Sequence, residues 1–464
     1  ARAQPAVALK TSGDTGDPRR RPDGRLGLVL VGLGGLAALA PPIAGLPLAG
    51  YAAMALLLAG GVAAMPFLAR LLLAPLHRLS GLPVPIDLAL KRLWGAPGQA
   101  GVALCGIVAS TSLMVAMAVM VSSFRGSVDD WLVAILPSDI YLHLEGVETG
   151  GLDPAAQARL AASPGIASMR FVRQIPLRLA PDKPAVVLSG QPIDPRPPYA
   201  GLPLLHPALP VPAGATPAYV SEPLGWLYGV KPGDTLMLPL GGGLRPVFVA
   251  GVWRDYARQF GAITLNDADF TRLTGDASKS EAAIDVVPGT PLPRATAALR
   301  ARLPPGLKDQ ALFAEPRQMR RVALQIFDRS FAITYALEAI AIIIGLIGVA
   351  ATFSAQTLAR GREFGMLRHI GVRRGQIIAM LAAEGALLGL VGVAAGIGLG
   401  VVMSQVLIHV VNPQSFHWTM DTRLPWGLFG GVAAALVAAA AGTAVLAGRH
   451  ALGTGAIRAV REDW

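Results

Sequence analysis

The stretch that decides the fold is residues 359–400, ARGREFGMLRHIGVRRGQIIAMLAAEGALLGLVGVAAGIGLG. It joins a cationic segment directly to a glycine-rich apolar run that starts near Ile377. Arginine side chains are costly in hydrocarbon, whereas an apolar run of this length can cross it. Because Lys and Arg concentrate on cytoplasmic flanks, the pattern predicts a short basic helix at the cytoplasmic surface, next to a membrane span.

The composition is typical of an integral membrane protein. Apolar residues make up 53% of the 464 residues and charged residues only 15%, with 54 Gly and 38 Pro. The net charge of +11 would suit nucleic-acid binding if the cations formed one stripe, but they flank apolar segments instead. Membrane orientation explains that distribution better than nucleic acid does. Cys105 is the single cysteine, which excludes an intrachain disulfide.

Apolar runs long enough to cross a membrane predict six spans, with both termini cytoplasmic. They cover residues 26–46, 47–73, 101–124, 330–353, 377–411 and 426–446. The first two form a transmembrane hairpin (26–74) after a basic cytoplasmic tail (1–25). The segment 75–100 is predicted to be cytoplasmic and interfacial, because residues 79–100 are too polar to span and Asp87 to Trp94 has the pattern of a short helix lying in the interface. A second cytoplasmic tail covers 448–464.

Residues 125–329 contain no run long enough to span, so they predict a separate domain. Alternating stretches predict strands, and two polar–apolar stretches at 153–162 and 293–303 predict helices. The strands are expected at 185–190, 217–223, 234–240, 246–253 and 282–288. The fold class is therefore a mainly α membrane protein with one inserted α+β domain, which the span count places outside the cytoplasm.

The run R-x-R-E-F-G-M-L-R-x-x-G-V at residues 360–372 resembles the permease domain shared by FtsX, MacB and lipoprotein-releasing permeases. Residues 80–141 and 218–276 also resemble the entry and the extracytoplasmic domain of this family. The resemblance implies a three-helix permease domain at 330–447, with a coupling helix at 363–372 that sits in a groove of a cytoplasmic ATPase. The residues implied in that contact are Arg362, Glu363, Phe364, Met366, Leu367, Arg368 and His369.

The resemblance further implies an ABC transporter permease of the bacterial cytoplasmic (inner) membrane. Two copies of a partner ATPase would bind ATP and Mg²⁺, and their motion would pass through the spans to export or extract a lipid-like, lipoprotein, peptide or antibiotic substrate. An extracytoplasmic adaptor, hydrolase or lipoprotein is a further possible partner, besides membrane lipids. The alternative is a non-transporting regulator of an extracytoplasmic hydrolase, as FtsX is.

The opening ARAQPAVALK lacks a Met and echoes the closing GRHALGTGAIRAVRED. In the resembled family such a tail follows each permease repeat. The echo predicts that the chain is the second half of a two-repeat permease whose first repeat precedes it on the same polypeptide.

The chain has no G-x-x-x-x-G-K-[ST] motif, so we expect ATP hydrolysis in the partner and no cofactor or enzymatic activity in this chain. Glycine-rich runs near residues 32 and 389 resemble nucleotide loops only superficially. Because they lie inside apolar runs, close helix packing is the favoured interpretation.

Two acids lie within predicted spans, where carboxylates are costly and usually paired or functional. Glu384 follows the basic segment by about two helical turns; pairing with a cytoplasmic-side Arg is favoured over lining the groove behind the coupling helix. Glu338 lies near the outer end of its span, where Arg329 or Asp328 could be close. It faces either a substrate route or another helix.

Two polar clusters could suggest chemistry. The first, near the outer end of a span, comprises His409, His417, Trp418 and Asp421; a metal site is conceivable, but an interfacial belt is favoured because the spacing matches no zinc signature. The second comprises Arg254, Asp255, Tyr256 and Arg258 and matches no catalytic motif. It predicts a surface loop or a salt-bridged turn.

Overall fold

The computed structural model describes residues 24–43, 45–77, 81, 83–95, 97–146, 150–193 and 201–453. Most of the predicted tails at 1–25 and 448–464 lies outside this part. The chain divides into two compact units. The helical unit comprises the described chain up to Ser122, Ala332–Val411 and the described chain from Thr422 onward. The sheet domain comprises Ser123–Phe331 and Asn412–Asp421.

The α-helices include long apolar helices and the short helices of the sheet domain. In chain order they are α1 (Arg25–Ala38), α2 (Leu48–Ala63), α3 (Met65–His77), α4 (Val84–Gly95), α5 (Pro97–Ile135), α6 (Pro154–Ala161), α7 (Glu222–Tyr228), α8 (Asp267–Thr274), α9 (Leu292–Arg302), α10 (Pro316–Ser330), α11 (Ala332–Ala359), α12 (Gly361–His369), α13 (Arg374–Val406), α14 (Asn412–Phe416) and α15 (Trp426–Gly453). Helix α4 lies in the segment predicted to be an interfacial helix.

Within the described residues, four helices are long and apolar enough to cross a membrane. They are Leu104–Ile135, Ala332–Thr357, Arg374–Phe416 and Trp426–His450. Helices α2 and α3 add a fifth span if the pair, which is bent by 55°, is counted as one. Helix α1 is apolar but shorter.

The predicted hairpin at 26–74 differs most from the structure. Helix α1 ends at Ala38 because Pro41 and Pro42 follow, and prolines have no N–H with which to continue a helix. Its 14 residues extend about 21 Å, less than the ~30 Å of a hydrocarbon core. The second run bends next to Pro66. Hydrophobicity alone overestimates the length of continuous helix here, and the count of six spans stays a prediction.

Glycines allow close helix packing in the helical unit, as the sequence predicts for the run near residue 389. In the run near residue 32, a Cβ on Gly34 would lie 3.0 Å from Leu57, whereas Gly32 and Gly35 have open space. A Cβ built on Gly396 would lie 2.6 Å from the Thr111 Cβ of α5, and one on Gly400 would lie 2.6 Å from the Val115 Cβ. A Cβ on Gly385 would lie 2.6 Å from a backbone oxygen of α15. Only glycine fits at such distances, so α13 contacts both neighbouring helices nearly backbone to backbone.

The sheet domain is built on nine described strands. They are β1 (Ile140–Leu144), β2 (Ile166–Leu177), β3 (Val186–Gln191), β4 (Pro217–Ser221), β5 (Thr235–Leu240), β6 (Gly243–Trp253), β7 (Ala262–Asn266), β8 (Glu281–Val286) and β9 (Ala311–Ala314). Their order is β5-β6-β4-β7-β3-β2-β8-β1-β9. The β3/β7 and β4/β6 pairs are parallel and the others antiparallel.

The sheet domain has two main hydrophobic cores. One includes Leu188, Val220, Val249, Ile263 and Phe270. The other includes Ile140, Leu142, Leu160, Ile284 and Leu299. The five strands and two helices expected from the alternating pattern are present, so the mixed α+β character is confirmed. The pattern does not individually predict the strands β1, β2, β7 and β9.

Candidate functional site

Helix α12 is a nine-residue helix between the long apolar helices α11 and α13. Gly371 ends the segment with a φ of +92°, a conformation that favours glycine. Gln376 then accepts from the Arg373 backbone N–H at 2.9 Å, which helps to start α13. The predicted coupling helix at 363–372 is therefore a helix at 361–369 followed by a tight turn.

Four charged side chains connect α12 to its neighbours. Arg360 Nη1 donates to Glu384 Oε2 at 2.7 Å, and Arg360 Nε donates to Glu363 Oε2 at 3.2 Å. Arg92 of α4 donates to Glu363 Oε2 at 2.9 Å and lies 3.2 Å from Glu384 Oε1. We call these four residues the charge network. It ties the helices α4, α12 and α13 together.

The charge network is buried on one side and open on the other. The side chains of Glu384 and Arg360 are only 7% and 11% exposed, whereas that of Glu363 is half exposed. A buried carboxylate needs a partner, and here two arginines provide it. The structure thus pairs Glu384 with arginines, as expected, and their location on the cytoplasmic side stays a prediction.

The expected ATPase contact of Phe364 does not agree with the structure. Its side chain is 1% exposed, and the Arg360 guanidinium lies 5.1 Å from its ring centroid. A side chain that is already buried inside its own chain cannot also reach a partner. Phe364 therefore anchors α12 to the helical unit.

Residues other than Phe364 form the exposed face of α12 and of the turn that follows it. Met366 is 65% exposed, His369 is exposed, and Ile370 just after the helix is 78% exposed. Leu367 and Arg368 are half-buried, and the side chain of Arg362 lies outside the described residues. Ile370 is not one of the seven residues implied in the ATPase contact, although it is an apolar residue among the charges of this segment.

The region that contains α12 matches a known protein family. Residues 336–456 match the FtsX-like permease C-terminal family. Over these residues the chain resembles the FtsX-like permeases. The chain is 27% identical over 410 residues to an uncharacterized ABC transporter permease protein of Mycobacterium tuberculosis, covering 84% of this chain and 46% of that relative. It thus spans about half the length of that relative.

Further similarities are shorter or weaker. An uncharacterized ABC transporter permease of Methanocaldococcus jannaschii is 26% identical over 96 residues, which are 21% of this chain and 24% of that relative. The periplasmic region of MacB from Actinobacillus actinomycetemcomitans covers 41% of this chain and 95% of its own, at 13% identity and a TM-score of 0.31. The extracellular domain of YknZ from Gram-positive bacteria covers 38% of this chain and 99% of its own, at 13% identity and a TM-score of 0.28.

Glu338 of the permease is buried in α11, and its Oε1 has no hydrogen-bond partner among the described residues. Asp328, a candidate neighbour by sequence, forms an ion pair with Arg125 at 2.9 Å. The two alternatives for Glu338, a substrate route and another helix, both stay predictions.

The segment Asn412–Asp421 belongs to the sheet domain, although the sequence predicts it as part of the permease domain at 330–447. Trp418 stacks on Phe124 at 4.5 Å between ring centroids and meets Tyr256 edge to face at 4.8 Å. Asp421 accepts from Arg254 Nη1 at 2.8 Å. The interfacial-belt interpretation is wrong for Trp418, because its ring is buried among aromatic side chains.

Glu222 completes the anchoring of this segment. Its Oε1 accepts from the Thr419 hydroxyl at 2.7 Å and from the Thr419 N–H at 3.2 Å. Burial raises the pKa of the Glu222 carboxyl, and the Thr419 hydrogen bonds oppose that effect. His409 of the helical unit lies 3.3 Å from the Thr422 hydroxyl. Among the described residues, no group of three or more His, Cys, Asp or Glu could hold a metal ion.

The cluster around Arg254 forms a salt-bridged turn. Arg258 donates to Asp255 at 3.0 Å, and Asp255 also accepts from the Ala257 N–H at 3.0 Å. Because Asp255 is fully buried, the alternative of a surface loop is wrong for this residue.

Proposed function

We propose that this permease receives the motion of a partner ABC ATPase at helix α12 and passes it through its apolar helices to the sheet domain. The observation that supports this proposal is the charge network. A helix that must pass on a push has to be firmly held to the helices behind it, and the charge network attaches α12 to both α4 and α13. The exposed Met366 and Ile370 on the other side remain available to a partner.

The continuity of the helices also supports the proposal. Helix α5 follows α4 closely and runs unbroken from Pro97 to Ile135, and helix α13 runs unbroken from Arg374 to Val406. We propose further that α12 lies on the cytoplasmic side of the bacterial inner membrane and the sheet domain on the other side, because the arginines cluster at α12.

The proposed ATPase contact predicts a clear effect of Met366→Asp. A carboxylate in place of this exposed apolar side chain should abolish most copurification of the cognate ATPase, because burying an unpaired charge at an interface costs several kcal/mol. The thermal unfolding temperature of the permease should not change, since Met366 is exposed.

Leu244→Asp is the matched control, because Leu244 is an equally exposed apolar residue on strand β6 of the sheet domain. It should leave copurification unchanged. If Met366→Asp binds the ATPase as well as the unmodified permease does, α12 is not the contact and the proposal fails.

A further inference from the structure

The sheet domain contains a cavity of about 380 Å³. Its size lies within the range of small-molecule binding sites, toward the lower end. Apolar side chains form much of its wall, including Trp131, Ile135, Leu136, Leu202 and Trp253. Polar side chains from β1, β2, β3, β7, β8 and the turn after β6 also line it. A cavity with an apolar wall and a few fixed polar groups suits a small amphiphilic ligand.

The polar side chains of the wall hold one another in place. His143 Nδ1 lies 3.1 Å from Glu281 Oε1, and Gln174 Nε2 donates to Glu281 Oε2 at 3.0 Å. Arg258 in turn donates to Gln174 Oε1 at 3.2 Å and to Asp255. Both oxygens of Glu281 are thus engaged by other residues of the domain.

Trp253 provides the sharpest indication of a ligand. The residue is 5% exposed, and its buried indole N–H has no hydrogen-bond partner among the described residues. The indole N–H of Trp131 in the same wall donates to the Arg254 carbonyl at 2.9 Å. Leaving a buried donor unpaired is costly, so the unpaired Trp253 N–H calls for an acceptor.

A second donor lies beside Trp253. The Arg258 guanidinium is 5.9 Å from the Trp253 ring centroid, and its two hydrogen bonds use only part of its five N–H groups. Arg170 also lines the cavity and donates to the Ser138 hydroxyl at 2.7 Å. Unused indole and guanidinium donors together fit a group that only accepts hydrogen bonds, as a carboxylate does.

We propose that this cavity binds an acyl carboxylate about the size of decanoate. The carboxylate accepts from Trp253 Nε1 and Arg258, and the acyl chain packs against Trp131, Ile135 and Leu202. The site lies wholly within the sheet domain and does not depend on the proposed ATPase contact.

Photo-cross-linking on the full chain in lipid nanodiscs tests the site. The probe is a decanoate carrying a diazirine on its acyl chain, and labelled peptides are mapped by mass spectrometry. We expect label on the peptides that carry Ile135 and Leu202, suppressed by excess decanoate. Decanol, which lacks the carboxylate, should need about tenfold more to suppress it. Label confined to the apolar helices of the helical unit, or equal suppression by decanol and decanoate, would overturn the proposal.

Trp253→Phe removes the N–H and keeps an aromatic ring, and should lower labelling about tenfold. Its control is Trp226→Phe at a half-exposed position of the same domain, where labelling should not change. If Trp253→Phe lowers the thermal unfolding temperature, Arg258→Lys supplies the second measurement, because it keeps the charge and removes the forked donor. Unchanged labelling in a folded Trp253→Phe or Arg258→Lys variant would show that these donors do not hold the carboxylate.

Discussion

The charge network predicts strong energetic coupling between Arg360 and Glu384. The substitution Arg360→Met leaves the buried Glu384 carboxylate with Arg92 as its remaining described ion partner, at 3.2 Å. Breaking a buried ion pair costs about 3–5 kcal/mol when no partner remains. Because Arg92 stays, we expect Arg360→Met to lower the free energy of unfolding by about 2–3 kcal/mol.

The double variant Arg360→Met with Glu384→Met should cost much less. It replaces a buried ion pair by apolar side chains of similar size, which is often close to neutral. Glu384→Met alone leaves Arg360 its contact with the half-exposed Glu363, so we expect about 1 kcal/mol. The coupling energy from the double-mutant cycle should therefore be about 2 kcal/mol or more.

Equilibrium unfolding of the purified permease in mixed micelles, monitored by circular dichroism, measures each corner of the cycle. The control cycle uses Asp87→Ala and Lys91→Ala, an exposed i,i+4 pair at 2.7 Å in helix α4. Its coupling should stay below about 0.5 kcal/mol. Additivity within about 0.5 kcal/mol at Arg360 and Glu384 would refute the claim that a buried ion pair holds α12 in place.

Two further predictions concern orientation and pH. In a Cys105→Ala background, a membrane-impermeant maleimide should label Arg245→Cys on the sheet domain in intact cells and miss Met366→Cys; labelling at Met366→Cys alone would reverse the proposed orientation. The hydrogen bond to Glu281 raises the pKa of His143. The pair therefore stabilises the fold fully at pH values below the ordinary histidine pKa. This stabilisation is lost as the pH rises through the raised pKa. The half-exposed pair should have a modest effect: His143→Gln should lower the thermal unfolding temperature more at about pH 5.5 than at about pH 8, and a difference that grows with pH would contradict the assignment.

Local patterns predict the elements that depend on neighbours in sequence. The basic segment at 360–374, the apolar runs and the strand alternation each contain their own signal, because helix and strand periods are local. The pairing of Glu384 with an arginine also follows from spacing, since Arg360 lies in the adjoining basic segment. Arg92 could not be predicted as the second partner, because it is distant in sequence and no local period connects it to Glu384.

The expectations for Phe364 and Trp418 are wrong for the same reason: their environments depend on residues that are distant in sequence. Phe364 lies in a short helix with apolar residues on more than one side, and only the packing of the helical unit decides which side is buried. Trp418 follows an apolar run directly, so its position in sequence suggests a membrane interface. Its true environment depends on Phe124 and Tyr256, which are more than a hundred residues away in sequence.

The length and continuity of helix α5 determine how far a movement at one of its ends displaces the other. Its 39 residues form a continuous rod about 58 Å long, without a proline inside to act as a hinge after Pro97. A tilt of about 5° at one end of such a rod would move the other end by about 5 Å, roughly one helical turn. A proline near the middle of α5, as in Met117→Pro, would kink or break the helix there, so that a tilt of one half would no longer move the other half.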